Sequence, residues 1–343
     1  MRWGLALLLL TTGAVLAQPA SPPEVPAAIP HVERARQLAG KDLTKPLLLC
    51  DPQGNAKVIQ SAFSGINQWF EPTRAFDNLF YIGNEFVGVW VIKTSKGLIL
   101  IDSLGSPEDA RDHLVPGLKK LGLDPAQIKY VLPTHGHCDH YGGAQYLADT
   151  FGARVGLSEA DWQLMARLKP GSPARLDRTP PRKDMVITDG QKLTLGDTSI
   201  ALYVTPGHTP GTISAIIPAR EYGRTYPMSL LGGTAFPVTL EPNENGAGLL
   251  ANSASVRRLA AISRAAGAVG LLNTHVSVDG SSERLHAAAN RKRGQPNPFM
   301  IGADVVRRHY AIFDECLQAA IARKRAAPVT ALESRRGAAT SAE

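Results

Sequence analysis

Residues 134–140 carry the side chains of this chain that are most clearly suited to chemistry. Four of these seven residues are the candidate metal ligands: His135, His137, Asp139 and His140. A buried strand is predicted to end as this stretch begins and a helix to start just after it, so the motif lies on a loop at a sheet edge. His135 and His137 are two residues apart and point the same way in an extended segment, so they can bind one ion. Asp139 and His140 begin the turn into the helix and are predicted to point toward a second ion.

Two further histidines complete a set of metal ligands. His208 lies in a rigid turn of proline and glycine residues, and His275 follows another predicted strand. Alone, each would more often be a structural histidine, but the six-residue metal motif elsewhere in the chain makes each a ligand candidate. Imidazole and carboxylate ligands suit zinc, although iron or manganese can occupy them as well. The remaining histidines are predicted to be surface or structural residues: His31, His113, His286 and His309.

Together these motifs resemble those of the metallo-β-lactamase superfamily. They are His-x-His-x-Asp-His at 135–140, Gly-His-Thr-Pro-Gly at 207–211, and a last histidine after a strand. The similarity covers roughly residues 76–322, nearly all of the predicted folded chain. It implies two zinc ions per chain, one on three histidines and one on an aspartate and two histidines: His135, His137 and His208 for the first, and Asp139, His140 and His275 for the second.

The end of one predicted strand, at residues 229–231, separates branches of this superfamily. Glyoxalase II and acyl-homoserine lactonases bridge their metals with an extra aspartate at the end of a strand between the last two histidine motifs. Here that strand runs into Gly232, Gly233 and Thr234, which offer no carboxylate. The missing bridge and the ligand set resemble class B β-lactamases of the third subclass. Residues 76–83 also resemble the opening hairpin of that subclass, and residues 297–299 resemble its C-terminal segment.

The resemblance implies a zinc-dependent hydrolase that opens the β-lactam ring of antibiotics by means of a metal-bound hydroxide. Asp139 would bind the second zinc and orient the nucleophile. In this subclass the groups that hold the substrate carboxylate fall near Thr234, which can donate a hydrogen bond, and Phe236, which cannot. We therefore expect a small-molecule substrate, with Thr234 in its binding site.

Two alternatives remain open. A hydrolase of the same fold could act on another lactone, ester or amide, and the sequence does not separate it from a β-lactamase. A zinc-binding protein without catalysis is the other alternative, which the complete ligand set and an export signal disfavour.

A scaffold of short strands alternating with helices must position these ligands. Strands are predicted at 78–82, 86–93, 97–102, 128–134, 153–157, 192–195, 199–204, 213–217, 229–231 and 269–273, and helices at 107–120, 251–266 and 303–323. Strand pairs broken by helices predict two sheets packed face to face. We therefore expect an α/β fold over residues 46–327, an αββα sandwich of two mixed β-sheets with helices on the outer faces.

The N-terminus is typical of a secretory signal peptide at residues 1–17. Arg2 supplies the positive charge, residues 5–16 are almost entirely apolar, and Ala17 offers a cleavage site. The apolar run is shorter than the about 20 residues that span a bilayer, so we expect no stable membrane insertion after cleavage. The predicted location is the periplasm or the medium. A Pro/Ala-rich leader follows at 18–45, and a flexible basic tail is predicted at 328–343.

The composition is that of a globular protein. The chain is 44% hydrophobic and 20% charged, whereas a disordered chain would be more polar and more charged. The formal net charge of +7 is concentrated in short runs near the C-terminus. Aromatic residues do not interleave with these runs as they do in a nucleic-acid platform. We therefore expect no nucleic-acid partner, and we expect a monomer.

The chain has three cysteines, an odd number that leaves at least one thiol free. An oxidising compartment permits a disulfide, and the sequence leaves open whether Cys50 and Cys316 pair. Cys138 lies between metal ligands. We expect it to pack behind the metal-binding loop rather than to act as a reactive thiol.

Overall fold

The computed structural model describes residues 24–54, 68–172, 174–236 and 247–326. In these ranges the strands form one seven-stranded and one five-stranded sheet. The strands are β1 (Thr73–Arg74), β2 (Leu79–Gly83), β3 (Gly88–Thr94), β4 (Gly97–Ile101), β5 (Ile128–Leu132), β6 (Arg154–Ser158), β7 (Met185–Ile187), β8 (Lys192–Leu195), β9 (Thr198–Val204), β10 (Ile213–Glu221), β11 (Arg224–Leu230) and β12 (Gly270–Leu272).

Both sheets are mixed, as the sequence predicts. The first has the order β1-β2-β3-β4-β5-β6-β7, with antiparallel pairs up to β4 and parallel pairs from β4 to β7. The second has the order β12-β11-β10-β9-β8, in which only β11 and β12 pair in parallel. The carboxyl ends of β4 and β5 therefore meet at one edge of the first sheet, where the metal motif begins.

Helices cover the outer face of each sheet. They are α1 (Ile29–Ala39), α2 (Pro107–Asp109, Ala110–Leu114 and Val115–Lys120 in succession), α3 (Cys138–Tyr141), α4 (Ala144–Phe151), α5 (Glu159–Arg167), α6 (Ala247–Ala265), α7 (Ser281–Ala289) and α8 (Ala303–Ala326). Two short 3₁₀ helices lie at Lys45–Cys50 and Pro125–Gln127.

Three buried apolar clusters hold these layers together. The first lies between the two sheets, where Trp90 of β3 packs near Phe299 and donates its indole hydrogen to the Asn273 carbonyl at 2.9 Å. The second joins the outer face of the first sheet to α2, α4 and α5. The third lies among α1, α6, α8 and the second sheet. Alternate residues of β2, β3 and β4 supply the first and second clusters, so both faces of this sheet are buried and the predicted αββα sandwich is confirmed.

The N-terminal part of the domain differs from the prediction. Helix α1 lies inside the predicted leader and packs against α8, burying Ala35 and Ala39. Cys50 and Cys316 form a disulfide that joins the 3₁₀ helix to α8. The packed domain therefore begins earlier than the predicted boundary at residue 46. The predicted signal peptide and the predicted tail lie outside the described residues.

No helix in the described ranges combines the length and the apolar character needed to cross a membrane.

Candidate metal centre

Six side chains from four segments converge at one edge of the sandwich. His135 and His137 lie on the loop after β5, and Asp139 and His140 lie on α3. The loop between β9 and β10 supplies His208, and His275 follows β12. The side chains form two groups in which all ligand atoms lie within 4.8 Å of one another. The members are His135, His137 and His208 in the first group, and Asp139, His140 and His275 in the second.

The first group consists of imidazoles whose Nε2 atoms face one another. The Nε2 atoms of His135 and His208 are 3.0 Å apart. His135 Nδ1 donates to the Gly232 carbonyl at 2.9 Å, and His208 Nδ1 donates to the Ala235 carbonyl at 2.7 Å. A carbonyl only accepts, so the proton of each ring is at Nδ1 and each Nε2 carries a lone pair. Two lone pairs pointing at each other repel unless a cation lies between them.

His137 supports the same conclusion. Its Nε2 atom is buried and has no hydrogen-bond partner among the described residues. Leaving such an atom unpaired costs roughly 1–3 kcal/mol. A metal ion would satisfy this nitrogen together with the Nε2 atoms of His135 and His208, so these three histidines fit a bound metal ion.

The second group combines a carboxylate with two imidazoles. The Nε2 atoms of His140 and His275 are 3.0 Å apart, and Asp139 Oδ2 lies 3.2 Å from the first and 3.5 Å from the second. His275 Nδ1 donates to the Phe86 carbonyl at 2.8 Å. His140 Nδ1 donates to Asp102 Oδ2 at 2.6 Å. Both rings are therefore oriented through Nδ1, as in the first group, and present Nε2 to a metal.

Asp102 is a functional residue that the sequence analysis missed. It is fully buried at the end of β4, and besides His140 it accepts the Thr134 backbone N–H at 2.6 Å through Oδ1. Its backbone has a φ of 68°, in the left-handed region that only glycine, asparagine and aspartate adopt with any ease. This turn aims the carboxylate at the ligand loop after β5. A buried strand that ends in an acidic residue beside the metal motif is the signal that could have identified it.

Burial and charge set the protonation of these groups in opposite ways. Burial, together with the neighbouring histidines, holds the pKa values of His135 and His137 well below their usual range. Burial lowers the pKa of His208 to about 4. These rings are therefore neutral at pH 7, the form that binds metals. Burial also opposes a charge on His140, but Asp139 and Asp102 outweigh it and raise its pKa to about 10 in the metal-free chain. Metal binding at the second group must therefore displace a proton.

Asp139 remains ionised in this environment. Burial opposes its charge, but His140 and His275 lower the pKa of the carboxyl below its usual range. Its side chain is 26% exposed, compared with 12% for His275 and none of His140. Asp139 is therefore the ligand of the second group that a substrate can reach most easily.

The loop after β11 backs directly onto the first group. A Cβ atom at Gly233 would lie 2.4 Å from His208 Cβ, and one at Gly232 would lie 1.9 Å from the Ile213 carbonyl oxygen. These positions have no room for side chains, so the loop contributes carbonyl oxygens to His135 and His208 rather than a bridging carboxylate. Thr234, which follows, is 2% exposed. Its role in substrate binding stays a prediction.

Phe236, Cys138 and the four remaining histidines lie outside the two ligand groups. Phe236 is buried against Phe313 in the third cluster, with ring centroids 5.5 Å apart. Cys138 is buried in the second cluster, and burial raises the pKa of its thiol to about 12, which confirms that it packs behind the loop. The four remaining histidines contact residues outside the metal groups or lie in the core: His31 with Glu315, His113 with Trp69, His286 with Phe70, and His309 in α8.

Comparisons with known proteins find similarity both in sequence and in fold. The family profile of the metallo-beta-lactamase superfamily matches residues 82–222. The chain is 38% identical over 88 residues to a hydroxyacylglutathione hydrolase of Acidiphilium cryptum, a match that covers 26% of this chain and 30% of that protein. It is 32% identical over 152 residues to the hydroxyacylglutathione hydrolase GloC of Haemophilus influenzae, covering 41% of this chain and 67% of that protein. Several other curated relatives are matched over less than half of their length, such as glyoxylase B2 of Dictyostelium discoideum at 38%.

Solved structures extend the similarity to the whole fold. BJP-1, a subclass B3 metallo-beta-lactamase of Bradyrhizobium japonicum, superposes with a TM-score of 0.62 at 29% identity, covering 75% of this chain and 96% of that chain. FEZ-1, a metallo-beta-lactamase of Legionella gormanii, has a TM-score of 0.65 at 21% identity, covering 76% of this chain and 99% of that chain, and it supports the fold alone. The two ligand groups at the edge of the sandwich fit two metal ions, and the chain belongs to the metallo-β-lactamase superfamily.

Proposed function

We propose that the protein hydrolyses β-lactam antibiotics with two zinc ions bound at its two ligand groups. The observation that carries this proposal is the loop at Gly232–Thr234, which packs on His208 and has no carboxylate to bridge the metals. This is the feature by which the third subclass of class B β-lactamases differs from glyoxalase II. The similarity to BJP-1, which spans nearly all of that β-lactamase, supports the same branch.

When bound, two zinc ions supply Lewis acidity for a carbonyl group and lower the pKa of a water molecule. The residues of the chain do the rest. Asp139 is ionised and partly exposed, so it can accept a hydrogen bond from the attacking water while it binds a metal through Oδ2. The Gly232, Ala235 and Phe86 carbonyls fix the orientation of three imidazoles. Such fixed ligands need no rearrangement during the reaction, which is what electrostatic preorganisation requires.

The residues beside the two ligand groups are expected to decide the substrate. Phe86 lies next to His275, with ring centroids 4.7 Å apart, and provides an apolar wall on the side of the second group. Thr234 follows Gly233, which lies against the His208 side chain. We propose that Thr234 donates a hydrogen bond to the substrate, since it is the hydroxyl nearest in sequence to the missing bridge.

The proposed location is the periplasm or the medium, where β-lactams meet cell-wall enzymes. The Cys50–Cys316 disulfide supports this, because structural disulfides persist in oxidising compartments. The proposed working state is a monomer that binds a small-molecule substrate and no nucleic acid.

A second candidate function is hydrolysis of a thioester or another ester. The hydroxyacylglutathione hydrolases among the curated relatives favour it. The missing bridging aspartate argues against it, because glyoxalase II carries that ligand.

A comparison of kcat/KM for β-lactams with kcat/KM for thioesters, lactones and esters tests the proposal. We expect zinc-loaded protein to hydrolyse penicillins, cephalosporins and carbapenems, and to act on a hydroxyacylglutathione thioester, a lactone and a simple ester at least tenfold more slowly in kcat/KM. A chelator should abolish the activity, added zinc should restore it, and an inhibitor that traps an active-site serine should have no effect. If all three β-lactams stay intact while the thioester or lactone is opened, the β-lactamase proposal fails and the metal-dependent hydrolase remains.

A further inference from the structure

One buried carboxylate, that of Asp161, links the two loops that carry the first ligand group. Asp161 lies in the first turn of α5 and is fully buried. Its Oδ2 atom accepts the Gly136 backbone N–H at 2.8 Å and the Thr209 hydroxyl at 2.7 Å. Its Oδ1 atom accepts the Gly211 backbone N–H at 2.8 Å. It therefore holds both loops through charge-assisted hydrogen bonds, which are about twice as strong as neutral ones.

These donors lie directly beside the three ligands of the first group. Gly136 lies between His135 and His137, and Thr209 follows His208. A small displacement at either position would move an imidazole by a similar distance, so Asp161 sets the separation of the two loops.

The local sequence is built for this close approach. Ser158 caps α5, and its hydroxyl also donates to the Gly211 carbonyl at 2.7 Å. A Cβ atom at Gly211 would lie 2.0 Å from Ser158 Oγ and 2.7 Å from Asp161 Oδ1. Only glycine therefore lets the His208 loop reach the start of α5. A further backbone hydrogen bond joins the loops, from Ile213 N–H to the Thr134 carbonyl at 2.7 Å.

The second ligand group has a different support. His140 and Thr134 are held by Asp102, and His275 is held by the Phe86 carbonyl. Three hydrogen bonds join the Asp161 carboxylate to the loops of the first group. We propose that Asp161 is a positioning residue that sets the metal affinity of the first group and not that of the second. This inference rests on the metal centre of the proposed function but not on its substrate, so its test measures metal binding.

Asp161→Asn is the informative substitution. An asparagine retains the size of the side chain but replaces one carboxylate oxygen with an NH₂ group. In either orientation of the amide, that NH₂ group faces at least one of the three donors and leaves it unpaired. Changes in residues that orient metal ligands typically cost 10–100-fold in metal affinity, and we expect a loss in this range.

The two groups can be titrated separately in variants that retain only one of them. His275→Ala disables the second group and His208→Ala disables the first. In the His275→Ala background we expect Asp161→Asn to weaken zinc binding, measured by competition with a chromophoric chelator, by 10–100-fold. In the His208→Ala background we expect less than about a twofold change, far below the 10–100-fold loss that follows when a metal ligand loses an orienting contact. Equal losses in both backgrounds, or no loss in the first, would overturn the proposal.

A second pair of variants covers the case in which Asp161→Asn does not fold. Thr209→Val removes the hydroxyl that donates to Asp161 at nearly constant shape, and Thr209→Ser retains it. In the His275→Ala background the valine variant should lose zinc affinity by several-fold and the serine variant should match the parent. The thermal unfolding midpoint of the metal-free proteins provides the structural control. If serine and valine lose affinity equally, the hydroxyl contact with Asp161 does not set the affinity and the proposal is wrong.

Discussion

The two ligand groups are built on different supports, although they lie side by side. The first contains three imidazoles on two loops, and the backbone orients two of them through the Gly232 and Ala235 carbonyls. The second contains a carboxylate and two imidazoles, and it depends on the side chain of Asp102 and on one carbonyl of the β2–β3 hairpin. In the first group, backbone carbonyls orient the rings and the Asp161 carboxylate contacts the loops that carry them, whereas in the second group the Asp102 carboxylate contacts a ligand ring directly.

This difference predicts which group loses its metal first. In the first group, burial holds the pKa values of the histidines below their usual range, so the rings are ready to bind at neutral pH. In the second, His140 carries a proton in the metal-free chain that a metal must displace, and Asp139 is partly exposed. Substitutions at the second group should therefore leave a protein with one metal ion, bound at the first group. The following predictions test whether the two groups bind metal independently.

The largest effect is expected from Asp139→Ala. The substitution removes a candidate metal ligand and the carboxylate that we propose to orient the attacking water, so kcat/KM for a β-lactam should fall by about 10³-fold, roughly 4 kcal/mol. Elemental analysis should find one zinc per chain instead of two, because the first group is intact. Retention of two equivalents would show that Asp139 is not a ligand.

A smaller effect is expected from Asp102→Asn. Asparagine tolerates the left-handed backbone at this position, so the substitution isolates the loss of the carboxylate. Its amide cannot accept from both His140 Nδ1 and the Thr134 N–H through separate oxygens, so zinc affinity of the second group should fall by about 10–100-fold. The measurement is zinc competition in the His208→Ala background. The same substitution in the His275→Ala background should leave the first group unchanged, and a loss there would break the proposed separation.

Thr234→Ala should change neither group. If the hydroxyl binds substrate equally in the ground and transition states, its removal raises KM by a few-fold with kcat nearly constant. Steady-state kinetics with one penicillin and one carbapenem measure the split, and elemental analysis checks that both zinc ions remain. Loss of a zinc ion would mean that Thr234 supports a ligand instead.

The smallest effect at the centre is expected from the double substitution Cys50→Ser and Cys316→Ser. The disulfide joins residues 266 positions apart, far from both ligand groups in sequence, and its loss should reduce the free energy of unfolding by about 2–5 kcal/mol. Denaturant titration measures this loss, and zinc affinity in both backgrounds should stay the same. Weaker binding at one group alone would show that the N-terminal segment supports that group.

The ligands could be predicted from sequence because their spacing is local. The motif at 135–140 places four ligands within six residues, and the structure divides them between the two groups as predicted. Asp102 and Asp161 could not be predicted in the same way, because each acts through hydrogen bonds to residues that are distant in sequence: Asp102 to His140 and Asp161 to Gly211. In the sequence they are carboxylates at the end of a strand and in the first turn of a helix.

The fold shows the same limit. Many of the strands and helices are predicted to within a few residues, such as α8 at 303–323 against Ala303–Ala326 in the structure, whereas β11 is predicted only near its end, at 229–231 against Arg224–Leu230. Helix α1 was hidden by the composition of its segment, because a run rich in proline and alanine is typical of a leader. It forms because Ala35 and Ala39 pack on α8, a tertiary contact that composition does not contain.

A zinc titration of the metal-free protein, in which bound zinc and carbapenem hydrolysis are followed together, tests the central claim most directly. The account predicts two bound equivalents, with full hydrolysis only after the second is bound, because both groups take part. Binding that ends at one equivalent, or a protein with two bound zinc ions that leaves the carbapenem and every other β-lactam intact, would contradict it.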